Sequence, residues 1–559
     1  MTRRSPLASL LVVLLLAVGC AAQPEHVHST AQAPAGPSPA VPGGPPPLWK
    51  NLGTYSHSIT TTSPRSQAYF DQGLRLTYAF NHWEAQRSFR EAARVDPACA
   101  MCQWGVAITY GSNYNDPTNP DREQGALDAA KKAQALAAKA TPAERAIIEA
   151  LVKRHQPGAE RATLDRAYAD AMRDVSQRFP DDLEAATFFA DSMMNLRPWN
   201  LWTPEGQPQP GTEEIVRTLE GVLAKNPSHP GALHLYIHAV EASQTPGRAA
   251  EAADRLRGLM PGAGHLVHMP SHIYLRVGRY DESVTANVRA AEADRTYFRE
   301  GMPSPIYRGM YYPHNLDFIW HAASMDGRSA ETLRAAREFA GEAPLPVLRQ
   351  MSDMETAPAA PIFALARFGR WEEILREPAP PADLPYWRGV WHYARGLAFA
   401  GTGRPAEAQR ELTALQALRD GVPEARTLAG FFKTREMLTL AVEVLAGELA
   451  ARRGEGDAAV RHLAEAARIQ DGHWFTEPPP WYFPVRQSLG AILLSAGRAA
   501  EAEAMYREDL RRNPENGWSL FGLAQALRSQ GKTEEATTTD ARYRRAWARA
   551  DVTLTASRF

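Results

Sequence analysis

Between residues 234 and 321, three stretches carry side chains able to give a lone pair to a metal ion, and their spacing repeats. Counting back from Gly278, His272, His268 and His265 stand 6, 10 and 13 residues earlier. Counting back from Gly327, His321, Asp317 and His314 occupy the same three offsets. The stretch before them carries His234, His238 and Glu241 in a nearly equivalent pattern, ahead of a turn lengthened by 243–246. Seven of the chain's sixteen histidines fill nine corresponding places, and Glu and Asp, also ligand types, hold the other two. A lone helical histidine is usually a satisfied or solvated residue. Three matching triplets outweigh that reading.

Residues spaced i, i+3 or i+4, and i+7 share one side of a helix, so each triplet forms a short column. Packed helices lie about 8–10 Å apart, a gap that imidazoles reaching from both sides can bridge onto one ion. Imidazole with a carboxylate suits copper, zinc or iron better than calcium or magnesium, which prefer oxygen shells. The residue types do not choose among those three. The foremost ligand candidates are His234, His238, His268, His272 and His314, followed by Glu241, His265, Asp317 and His321. Nine candidates exceed the needs of one ion, so either some orient the ligands from behind or two ions sit together. The run His234, His238, Glu241 is not the HExxH of zinc proteases, where Glu lies between the histidines, so a protease is not read here. A polar site for an organic or anionic ligand and a purely structural network are the competing readings.

The elements that must position these columns recur along the chain as an apolar helical stretch, a glycine turn and an Ala-rich second helix. Residues 69–80 followed by Asn81-His82-Trp83, 273–277 followed by Gly278, and 489–496 followed by Gly497 are examples. Further turns fall at Gly327, Gly369, Gly403, Gly456 and Gly531. Asp96-Pro97, Asn226-Pro227 and Asn513-Pro514 close helices, because proline cannot continue the hydrogen-bond ladder. This pattern resembles the tetratricopeptide repeat over residues 65–550, best at 83–97 and 484–536. The resemblance implies an all-α, right-handed superhelical solenoid of helical hairpins that stack to share a core. It also implies that first helices line a concave groove for a peptide, partner protein or small molecule, so the columns are expected to face an accessible cavity. Aromatic and Pro-rich inserts at 111–120, 199–212, 297–312 and 471–481 are expected to pack as loops over one face. Tyr236, Tyr274, Tyr311, Tyr312 and Trp320 could wall a pocket, and 481–484 could reach into the groove, although repeat core is the commoner role for such aromatics.

The chain's beginning reads as a targeting signal. Arg3 and Arg4 precede an apolar run over 7–18 and then Gly19-Cys20, which resembles a bacterial lipobox with Cys20 as the lipidated residue. The expected organisation is a signal peptide at 1–20, a Pro/Ala/Gly-rich tether at 21–54 and the solenoid at 55–559. The expected location is the cell envelope, lipid-anchored at the outer membrane facing the periplasm, with secretion as the alternative. In an oxidising compartment Cys99 and Cys102 could form a local disulfide. Gln103 stands where c-type haem attachment requires His. Charge is balanced, 62 basic against 63 acidic residues, so no whole-chain field favours nucleic acid. No phosphate loop, nucleophile elbow or dinucleotide fingerprint stands out. Two functional readings remain, a lipid-tethered binding scaffold carrying a histidine-rich metal site and a metal-dependent envelope enzyme of oxidation or hydrolysis.

Overall fold

Helix pairs closed by glycine turns make up most of the chain in a computed structural model, which describes residues 44–117, 120–156, 158–351, 354–473 and 475–559. About 69% of the chain is helical. Among the described residues, strand is limited to a small hairpin, Thr427–Leu428 with Phe432–Lys433, and two isolated bridges. The all-α hairpin architecture expected from the repeating pattern is therefore the observed one. Its turns use glycine for a conformational reason: Gly278, Gly327, Gly369, Gly403, Gly497 and Gly531 have φ between +63° and +79°, a region that L side chains rarely adopt. One turn differs from expectation. Gly454, at φ +78°, makes it, and Gly456 instead opens the helix Gly456–Asp471.

The described chain divides into two compact units, one of residues up to 273 with 289–312, the other of 274–288 with 313–559. In the first, Ser63 caps the helix Pro64–Tyr78 and Asn81 caps the helix His82–Val95, each side chain accepting an otherwise orphaned backbone N–H. Phe89 wedges between neighbouring helices where glycines leave room for it: a Cβ on Gly73 or Gly105 would stand 2.7 or 2.3 Å from its ring. Farther along, His229 Nδ1 accepts from the amide of Ala232 and Pro230 occupies the first turn. These fix the start of the helix Pro230–Val240, which is buried along its whole length.

The next column does not lie on one uninterrupted helix. The chain forms Gly264–His268 and then Pro270–Arg276, interrupted at Met269, because Pro270 has no N–H for the turn before it. The insert 297–312 is also mostly helical rather than a loop, since Tyr280–Glu300 runs into it and Tyr307–Tyr311 is a π-helical turn. The inserts after Gly111 and Trp199 are irregular and carry the isolated bridges Asn113 to Asp116 and Trp202 to Pro208.

Packing begins earlier than residue 55. Leu52 is buried, Tyr69 donates its hydroxyl to the Pro46 carbonyl, and Gln72 donates to that of Pro47. Part of the span expected as a tether thus lies along the first helix. Cys99 and Cys102 form a disulfide at the start of the helix Ala100–Ile108. Residues 1–20, Cys20 and most of the tether lie outside the described residues. Among the described ones, no helix is long and apolar enough to cross a membrane.

In the second unit the helices Val485–Ser495, Ala499–Arg512, Gly517–Ser529 and Thr533–Ala546 form successive hairpins. The segment 481–483 packs as core: Tyr482 stacks on Phe363 at 4.4 Å between ring centroids and shares a 3.0 Å hydrogen bond with the Tyr393 hydroxyl.

Candidate metal centre

Five histidines of the first unit come together. His234 and His238 lie one turn apart on Pro230–Val240, His265 and His268 on Gly264–His268, and His272 on Pro270–Arg276. All five are at most 2% exposed. That corrects the expectation of columns facing an open groove. The reason is local: aromatic side chains from turns and inserts cover the imidazoles. Phe80 packs on His234, His265 and His238 with centroids 4.4, 5.5 and 6.0 Å away. Tyr114 and Trp199, from two inserts, reach His238 at 5.0 and 5.7 Å, and Tyr311 reaches His265 at 4.5 Å.

Hydrogen bonding sets which nitrogen of each ring carries the proton. A carbonyl oxygen only accepts, so His234 Nδ1, 2.6 Å from the Tyr78 carbonyl, must donate. Glu241 likewise accepts from His238 Nδ1 at 2.9 Å and from His272 Nδ1 at 2.5 Å. Burial pushes the Glu241 carboxyl up, but the two imidazoles outweigh it and hold the group below the usual carboxylate range. In neutral imidazole the other nitrogen then keeps its lone pair. His234, His238 and His272 are thus fixed with the lone pair on Nε2, the arrangement in which a carboxylate or carbonyl orients a metal-bound histidine.

The remaining contacts test whether these residues suit an ion. His265 Nε2 stands 3.1 Å from His234 Nε2, and His268 Nε2 stands 2.7 Å from His272 Nε2. Nitrogens facing each other this closely can share one proton or one cation. His238 Nε2 and His265 Nδ1 are buried with no hydrogen-bond partner, and leaving such atoms unsatisfied costs about 1–3 kcal/mol each. One ligand atom from each of His234, His238 and His265 lies within 4.8 Å of the others. Imidazoles on a tetrahedral ion at 2.0–2.1 Å stand roughly 3.4 Å apart, so small side-chain rotations close the triad. A second grouping joins His238, Glu241 and His272. Burial pushes the imidazoles of His234, His238 and His265 below their ordinary value, and neighbouring histidines add to the effect at His234 and His265. They are neutral and ready to donate at pH 7.

His265, a second choice from spacing, joins His234 and His238, while Glu241 is placed to orient two histidines from behind. His314, Asp317 and His321 lie on Tyr312–Met325 in the second unit. His314 packs edge-on to Phe318 at 4.9 Å. Burial raises Asp317 to about 7, and the carboxyl accepts from Trp320 Nε1 at 2.6 Å. Burial lowers His321 to about 3, with Arg367 adding to the effect; a fixed guanidinium is a poor neighbour for a metal ligand. Tyr236 bonds Glu220 and Tyr274 underlies Arg279, so neither is shown walling the histidines as Tyr311 does.

Spacing does not reveal Phe80, Tyr114 or Trp199. Phe80 and Trp199 also share a backbone signature, φ of +54° and +60°, where a residue with a Cβ is held at a cost of about 1–3 kcal/mol. Strain of this kind concentrates where surrounding structure imposes a side-chain position. A Phe standing at the first turn, where later turns have glycine, is the one sequence signal that could have pointed to it.

The geometry defines a helical-hairpin protein with a buried imidazole cluster. The tetratricopeptide repeat family model matches residues 493–546, so the tetratricopeptide character expected from the hairpins is explicit in that segment. The chain is similar to the human IFIT1 dimer with m7Gppp-AAAA, at 14% identity and a TM-score of 0.30, over 88% of this chain and 92% of that one. It is also similar to the APC/C hetero-tetramer Cut9-Hcn1, at 12% identity and a TM-score of 0.29, over 87% and 76%. Likeness at this level carries no argument. No protein of curated function matches the chain.

Proposed function

We propose that this is a tetratricopeptide-type protein of the bacterial cell envelope that binds a transition-metal ion, copper, zinc or iron, through His234, His238 and His265. His268 and His272 stand beside these ligands, and Glu241 orients His238 and His272. The observation that carries this reading is the buried, unpartnered His238 Nε2, inside a cluster where His265 Nε2 stands 3.1 Å from His234 Nε2 and the Nδ1 atoms of His234, His238 and His272 are tied by acceptors. An ion supplies the missing partner and offsets the burial of several polar rings. Metal analysis of natively purified protein tests it, with a His234→Ala/His238→Ala variant that keeps its helical circular dichroism. Metal in the wild type and its loss in the variant are expected; equal content in both, or none in either after exposure to copper, zinc and iron, refutes the site. A His268→Ala/His272→Ala variant reports whether the neighbouring pair holds a second ion.

The scaffold around the ion is proposed to hold a peptide or partner protein on its helical surfaces, with Cys20 as the lipid anchor. A Cys20→Ser variant should leave the membrane fraction, and unchanged membrane association and processing would refute the anchor. The second reading, a metal-dependent enzyme of oxidation or hydrolysis, is favoured by the left-handed backbone at Phe80 and Trp199, since strain beside a metal cluster is a feature of reactive sites. Complete burial of the imidazoles weighs against it, because a substrate needs a path to the ion.

A further inference from the structure

Arg367 ends the helix Thr356–Arg367 in the second unit and is 5% exposed, yet among the described residues no carboxylate is bonded to it. Its guanidinium lies 3.8 Å from the Trp518 ring centroid and 5.5 Å from that of Phe483. Its Nη2 is 4.0 Å from the Met325 sulfur, and its Nε has no hydrogen-bond partner. Burial lowers the group to about 9, which leaves it protonated at neutral pH. Asp509, whose charge it feels, is already engaged by Ser519, Asn513 and Asn516. A cation over an aromatic face gains about 0.5–2 kcal/mol, whereas burying an unpaired ion costs several. Stacking alone does not balance the burial.

Arg367 lines a cavity of about 40 Å³ together with Tyr393, Tyr482, Ser488, Arg452 and Arg558. A single water needs roughly 10–15 Å³ by the same measure, so a small ion fits. Three arginines line the space against one acid, Glu448, and Glu448 is paired with Arg558. The lining therefore carries an excess of two positive charges. The hydroxyls of Tyr393 and Tyr482 share one hydrogen bond, which leaves one of their two protons to donate elsewhere. Buried cation, surplus positive charge, spare donor and ion-sized space converge on one place.

We propose that this pocket binds a small monovalent anion, chloride or a formate-sized carboxylate, on the guanidinium of Arg367. The site is separate from the histidine cluster and stands or falls without it. The test is thermal unfolding of the full chain at constant ionic strength, with chloride or formate replacing the bulkier anion gluconate. A saturable rise in Tm is expected with one or both anions, and the response shows whether a spherical ion or a carboxylate is preferred. In Arg367→Met, which keeps the stem and removes the charge, affinity should fall about 10–100-fold, the worth of a charge-assisted hydrogen bond. In gluconate that variant should be no less stable than wild type, because an unpaired buried charge has been removed. A linear, unsaturable response, or one that persists in Arg367→Met, overturns the proposal. Should Arg367→Met fail to fold, excess broadening of the chloride-35 resonance by wild-type protein, reversed by formate, decides the matter: its absence, with no saturable formate response, overturns the site.

Discussion

Replacing Glu241 by Gln changes almost no volume and asks one question, whether a carboxylate that only accepts is needed to hold two histidines in one tautomer. In the wild type both Nδ1–H groups, from His238 and His272, end on Glu241 at 2.9 and 2.5 Å. A glutamine offers one accepting oxygen and one NH₂. The imidazole facing the NH₂ must present a lone pair from Nδ1, which moves its proton to Nε2 and removes it as an Nε2 ligand. Removing such an orienting group typically weakens metal affinity 10–100-fold, equivalent to about 1.4–2.8 kcal/mol. Competition against a chromophoric chelator at pH 7.5, with copper, zinc and ferrous iron in turn, measures the loss directly. The folded state should not suffer, because the amide that replaces the carboxylate buries no charge. Unchanged metal affinity in a folded Glu241→Gln variant refutes the orienting role, and lower stability without any change in metal affinity assigns Glu241 to a structural network instead.

Three buried histidines should each contribute less stability in acid, above the carboxylate range. Burial lowers His82 and His321 to about 3 and His155 to about 4, so below pH 6.5 the unfolded chain takes up protons that the folded one does not. Their contribution to stability then falls as pH falls, by up to about 1.4 kcal/mol per unit for each histidine, or roughly 5 kcal/mol for the three between pH 6.5 and 5, and it is opposed by Asp317, Asp191 and Asp326, which burial raises to about 7, 6 and 6. A folded His82→Gln variant should therefore lose less stability than wild type between pH 6.5 and 5, and an equal change in both contradicts the burial argument at that residue. Metal uptake should persist below pH 6.5, since the same desolvation keeps His234 and His265 unprotonated there; a loss of binding already complete at pH 6.5 counts against these ligands. Gly105→Ala places a Cβ 2.3 Å from the Phe89 ring and should destabilise by about 1–3 kcal/mol, read as a lower denaturant midpoint, whereas an unchanged midpoint means that the wedge yields freely.

Much of the fold is legible because helix pairing leaves a local imprint. The turn glycines and the prolines after helices act through the backbone of their own residue, so Gly278, Gly327 and Gly497 are readable without knowing what packs against them. Gly456 misleads for the same reason, since Gly454 lies two residues away and either could turn the chain. The histidine columns are legible as periodicity, which gives a face but not its neighbour. Whether His265 or His268 meets His234 depends on the break at Met269 and on how two hairpins are offset, both tertiary facts. Phe80, Tyr114 and Trp199 reach the cluster across long separations, and no spacing rule links them to it. Arg367 is a third kind of case: in sequence it is the ordinary basic residue at a helix end, and only packing turns it into a buried cation.

The closure of the imidazole cluster under Phe80, Tyr114, Trp199 and Tyr311 has a consequence for time as well as for affinity. Ligands reached through an open channel exchange at the pace of diffusion and bond breaking. Behind packed rings, entry and exit wait for the protein to open locally, and that clock is set by the stability of the covering turns rather than by the chemistry of the ion. An ion installed while the chain folds would outlast many chelator washes, and one offered to the finished fold would enter slowly. Occupancy would then record for a long time the metal present when the molecule was made, so that two samples of identical sequence could differ in content according to their history.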